Sequence, residues 1–138
     1  MIELKLRAKS ATFRIADEGK VPLEEVTVVS KGRFKGRELT SLQTVRIYPT
    51  GKASDIEEGS GILYLKGSGR ATYRVLAELR TTTKWRERVK GGMSFGKDCT
   101  GGLKNLARAK ASFVTLVNSK GESITKVRIP LHRASTAS

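Results

Sequence analysis

Apolar and polar side chains alternate with a period of two along most of this chain. Over residues 2–9, Ile2, Leu4 and Leu6 fall on one side and Glu3, Lys5, Arg7 and Lys9 on the other, the pattern of a half-buried strand. A second run carries Phe13 and Ile15 on its apolar side and ends in a turn at 17–20. Further strands are expected over 26–30, 42–48, 61–66 and 70–80, the last with Ala71, Tyr73, Val75, Ala77 and Leu79 on a single face. A seventh runs through 84–95. An eighth, over 107–117, aligns Ala107, Ala109, Ala111, Phe113, Thr115 and Val117, and a ninth covers 123–129.

Turn chemistry separates these runs. Lys31-Gly-Arg-Phe-Lys-Gly-Arg-Glu reads as a basic hairpin tip, Gly67-Ser-Gly as a tight turn and Asn118-Ser-Lys-Gly as a hairpin turn. Residues 96–102 form a glycine-rich loop, followed by a short helical turn at 103–106. Asp55, Glu57 and Glu58, flanked by Gly and Ser, read as a solvated loop. No helix-period segment of ten residues occurs. The expected fold is all-β: one antiparallel β-barrel of about eight or nine strands over residues 1–129, with little helix and a frayed tail over 130–138. Closing the sheet into a barrel also removes its edges.

Composition narrows this picture. Of 138 residues 38% are hydrophobic, and the aromatics are four Phe, three Tyr and one Trp, which suits one modest core. The single cysteine, Cys99, excludes an intramolecular disulfide, and no run of 18 apolar residues offers a membrane span. A cytoplasmic protein without membrane contact is the expectation.

Charge changes the picture more. Lys and Arg number 27 against 13 Asp and Glu, a net of +14. Residues 1–68 hold 12 basic and 9 acidic residues, whereas residues 69–138 hold 15 and 4. Such asymmetry is the footprint of a polyanion partner. If residues 84–90 are extended, Lys84, Arg86, Arg88 and Lys90 project from one face, and Trp85, Glu87 and Val89 from the other. Lys104, Arg108 and Lys110 extend the cationic surface if the seventh and eighth strands are neighbours. The first functional expectation is therefore a binding module that docks on RNA or DNA, or on a nucleic-acid-rich assembly, through backbone phosphates.

Catalytic motifs are missing. The only histidine, His132, lies in the expected tail, so a Ser–His or Cys–His pair lacks its base. Two His and Cys residues in all are too few for a typical zinc site. The three carboxylates at 55–58 match no EF-hand loop. The glycines of 91–102 spell neither a P-loop nor a dinucleotide fingerprint. No metal and no cofactor are called for. Cys99 beside Asp98 reads as an inert thiol, because a neighbouring carboxylate raises a thiol pKa.

A barrel interior nevertheless offers a second expectation, a cavity for a small apolar or anionic ligand. Tyr64, Tyr73, Trp85, Glu87, Phe95 and Phe113 are its candidate lining. Glu87, sharing a face with Trp85 and Val89, reads either as a pocket acid or as a carboxylate neutralised by a cation such as Arg74 or Arg80.

Three stretches within residues 56–128 carry a family resemblance: Gly59-Ser-Gly-Ile-Leu-Tyr, Gly91-Gly-Met-Ser-Phe-Gly, and Thr100-Gly-Gly-Leu-Lys-Asn-Leu-Ala-Arg-Ala-Lys-Ala-Ser-Phe with Ser119-Lys-Gly after it. They resemble small β-barrel proteins of the allene-oxide-cyclase and dirigent-like type. The resemblance implies an eight-stranded, calycin-like antiparallel barrel whose central cavity takes a hydrophobic ligand in some relatives. It also implies isomerase or cyclase chemistry without metal, if the protein is an enzyme at all. A homo-oligomer is compatible with either functional expectation. Strong basicity and a last strand poor in aromatics depart from the family pattern.

Overall fold

The computed structural model describes residues 1–18 and 21–130. Of the turn expected at 17–20, Asp17 and Glu18 instead end a strand; Gly19 and Lys20, like His132 and the tail beyond Pro130, lie outside the described residues. Nine strands follow one another: β1 (Ile2–Ala8), β2 (Thr12–Glu18), β3 (Val21–Phe34), β4 (Arg37–Tyr48), β5 (Asp55–Leu65), β6 (Gly69–Arg80), β7 (Glu87–Phe95), β8 (Lys110–Val117) and β9 (Ser123–Ile129). One 3₁₀ turn, Gly101–Leu106, interrupts them. Among the described residues no helix is long and apolar enough to cross a membrane.

All pairings are antiparallel, and the sheet runs β1-β9-β8-β7-β6-β5-β4-β3-β2. The long β3 divides its partners: Val21–Thr27 pairs with β2, while Lys31 meets Arg7 of β1. That second contact closes eight strands into a barrel, and β2 remains as an extra strand on β3. The fold is thus an eight-stranded antiparallel β-barrel with one added strand.

Alternation of burial follows alternation in sequence. In β6, Ala71, Tyr73, Val75 and Ala77 are buried and Thr72, Arg74, Leu76 and Glu78 are exposed. Inward Leu4, Leu6, Val45, Leu63, Leu65, Met93, Phe113, Val127 and Ile129 meet in one core, as period-two strands around a closed sheet require.

The two ends of the barrel differ. At one end the β7–β8 connection folds back across the β5–β6 turn, and its 3₁₀ turn drives Leu103 and Leu106 fully into the core. Backbone bonds from Thr100 N to Arg70 O and from Gly102 N to Ser68 O, both 2.9 Å, fasten it. Lys35 Nζ of the β3–β4 turn donates to Gly102 O at 3.0 Å. The approach is so close at Gly101 that a Cβ there would stand 1.3 Å from Ser68 O, with φ at +55°, so only glycine fits. The other end, ringed by residues 9–11, 49–54, 81–86 and 118–122, has no such plug among the described residues.

Candidate functional site

The unplugged end leads into a cavity of about 80 Å³ inside the barrel. Its apolar wall includes Leu6, Val28, Ile47, Leu79, Val89 and Val117, with Phe13 of β2 at the mouth. Its polar groups include Ser41, Gln43, Glu57, Tyr73, Arg86, Glu87, Thr115 and Thr125.

At the floor, Tyr73 projects from β6 across β5 toward β4. The space it needs is provided at Gly61, where a Cβ would lie 2.4 Å from the Tyr73 hydroxyl oxygen. Tyr73 Oη donates to Gln43 Oε1 at 3.0 Å and sits 2.7 Å from Ser41 Oγ. With its proton committed to Gln43, the phenol accepts from Ser41. Burial pushes the Tyr73 hydroxyl up to about 12, against a lowering by the Ser41 bond, so it stays a neutral donor. The ring also meets Phe95 edge-on, with centroids 6.1 Å apart.

Higher in the cavity the Thr115 and Thr125 hydroxyls, on paired positions of β8 and β9, bond each other at 2.7 Å. Glu57 is different. It lies on β5 between Ile47 of β4 and Ala77 of β6, is only 7% exposed, and has no hydrogen bond or ion pair among the described residues. Burial first, and the nearby Glu87 second, push its carboxyl up to about 7. Glu87, the first residue of β7, is engaged by Arg86 (Nη2 to Oε1, 3.5 Å). Among the described residues no three His, Cys, Asp or Glu side chains converge as a metal site would require.

The expected cationic ladder divides in two. β7 begins at Glu87, because Thr82 Oγ1 is bonded to both the N–H (2.8 Å) and the carbonyl (3.0 Å) of Trp85 and folds residues 82–85 into a turn. Lys84 and Arg86 therefore belong to the loop. Lys84 Nζ stands 6.0 Å from the Trp85 ring centroid, and Arg86 lines the cavity. Arg88 and Lys90 project outward from β7. Lys104 is exposed on the 3₁₀ turn at the plugged end. Arg108, expected on the eighth strand, precedes it with φ at +61°. That strand starts at Lys110, whose side chain is outward and exposed.

Of the expected cavity residues, Tyr73 and Glu87 line the cavity. Tyr64 stands on the outer face of β5, 43% exposed. Trp85 lies in an outer groove with Arg7, Lys9, Lys31, Leu116 and Ile124. Phe95 and Phe113 are buried in the core. Neither Arg74 nor Arg80 neutralises Glu87: both occupy outward positions, and Arg80 pairs instead with Glu78 at 3.6 Å. Asp55, Glu57 and Glu58 begin β5 rather than forming a solvated loop. The signal for Glu57 was its place two and four residues before Gly59 and Gly61, on the face that continues as Leu63 and Leu65.

The protein is thus a basic eight-stranded barrel, closed at one end, with an acid-bearing cavity at the other. No family model, curated protein or solved structure matches this chain.

Proposed function

We propose that the protein binds a small ligand in the cavity at the open end of its barrel. The observation that carries this reading is Glu57, a carboxyl 7% exposed that faces the cavity with neither a hydrogen bond nor an ion pair among the described residues. Burying such a group costs stability, and a residue serving the fold alone would be apolar or paired. An unpaired carboxyl in an accessible cavity is what a site awaiting a ligand contains. The resemblance of residues 56–128 to barrels that hold ligands centrally supports the same reading. A carboxyl titrating near neutrality also suits proton transfer on a bound substrate, the isomerase-type chemistry that the resemblance implies.

The test is a thermal-shift panel of small amines, alcohols and carboxylates on wild type and on Val117→Trp, which fills the mouth. Stabilisation by some members, lost in the variant, is the expected result. A panel without effect on wild type would sink the proposal.

A second reading, docking on nucleic acid through the outer wall, has its own observation. Lys5 of β1 lies directly opposite Lys126 of β9, Arg80 opposite Arg88, and Arg7 opposite Lys31. Like charges in directly opposed positions destabilise a sheet, and an anionic backbone relieves them by contributing phosphates. Lys90 and Lys110 lie on the same wall.

A further inference from the structure

Charge is sorted by position in this barrel. The chain carries a net +14, yet two acids, Glu57 and Glu87, line the cavity at the open end. Among the described residues Arg86 is the one cation lining the cavity, and it is already paired to Glu87. Glu57 is left more than nine-tenths buried without a partner among the described residues. An anionic ligand would enter against this lining. A metal ion lacks the ligand set, since no three candidate donors converge among the described residues.

We infer that the cavity takes a small organic cation, a short-chain alkyl ammonium whose head sits against the Glu57 carboxylate and whose chain leaves along the apolar mouth. This rests on the reading of the cavity as a ligand site. The head fits the space: about 80 Å³ is roughly half of a cavity that holds benzene, enough for an ammonium and a few methylenes. Leu6, Val28, Val117 and Phe13 line the way out. The N–H donors of a primary ammonium make charge-assisted bonds to a carboxylate, the strong kind. They also supply the partner that Glu57 lacks.

The pH dependence has a definite sign. Burial holds the free Glu57 carboxyl near 7, so below 7 a cation must displace its proton, whereas above 7 the carboxylate is ready. Glu87 and Arg86, the charged groups facing it from β7 and its preceding loop, are paired to each other. An alkyl ammonium remains charged throughout, as a lysine side chain does. Affinity therefore rises roughly tenfold per pH unit on the acid side of 7 and levels off above it. A neutral ligand accepting a bond from the protonated acid would show the opposite trend.

The experiment is calorimetric titration of the whole protein with hexylammonium, 1-hexanol and hexanoate from pH 5.5 to 8.5, using wild type, Glu57→Gln and Val117→Trp. The expected result is hexylammonium binding at least tenfold tighter than hexanol, climbing with pH in wild type. Glu57→Gln should flatten the climb and lose at least tenfold. Hexanol binding as tightly as the amine, or an unchanged Glu57→Gln, overturns the cation inference; if Val117→Trp still abolishes binding, the cavity reading survives. No binding by any of the three ligands overturns both.

Discussion

Glu57 decides how this barrel responds to pH. Its carboxyl titrates at an ordinary 4.5 when unfolded and near 7 when folded, so the folded state holds the proton more tightly. Its contribution is fully present below 4.5 and is lost as pH rises through 7. The difference is on the order of 3 kcal/mol. Glu57→Gln, which keeps the shape and removes the charge, should unfold at nearly the wild-type temperature at pH 4 and at a clearly higher one at pH 8. Equal melting temperatures at both pH values would mean that Glu57 is better solvated than its position indicates. Tyr73 offers a companion test, since its hydroxyl bonds Ser41 and Gln43 through space left by Gly61. Tyr73→Phe leaves the buried Ser41 hydroxyl unpaired and should cost about 1–2 kcal/mol by denaturant titration. Gly61→Ala drives a methyl into the phenol and should cost about 1–3 kcal/mol. If Gly61→Ala is as stable as wild type, Tyr73 does not cross β5 as described.

At the level of strands, the sequence was legible wherever one strand supplies both its own pattern and its own core residues. β6 alternates without interruption, and its expected face is the observed one. The start of β5 was hidden because its inner positions, Gly59 and Gly61, are filled from neighbouring strands: a Cβ at Gly59 would meet Val45, and one at Gly61 would meet Tyr73. Glycines that read as loop are inner-wall residues, and Glu57 was lost with them. β7 erred in the opposite direction, because the alternation of 84–90 runs through a turn that the Thr82 hydroxyl creates. Pairing register, which no single strand specifies, sets Lys126 against Lys5. Lys126→Glu replaces this repulsion with an ion pair and should raise stability by about 0.2–1 kcal/mol at low salt, while weakening any polyanion that uses the wall. A variant that loses stability would show that Lys126 has a structural partner.

Over the whole molecule, the plug and the charge placement create two surfaces that do not share residues: a basic outer wall and a cavity that holds the acids Glu57 and Glu87. They should respond differently to salt. Charges exposed on the wall are screened and compete with counterions, so a duplex engaging four of them, such as Lys5, Arg88, Lys90 and Lys126, should lose about a hundredfold in affinity between 50 and 200 mM salt. Changing those four to Ser should flatten the dependence. Alkyl ammonium binding at Glu57 lies inside the barrel, where screening is weak, and should change by less than about threefold over the same range. The two ligands should also bind without competing, because the wall and the mouth use opposite sides of the same strands. Titrating each ligand in the presence of the other, at both salt concentrations, measures all of this at once. If the amine displaces the duplex, or if both affinities fall together with salt, the two ligands share one surface and the separation of wall from mouth is wrong. If the duplex shows no affinity even at 50 mM, the opposed cations of the wall do not serve a nucleic acid.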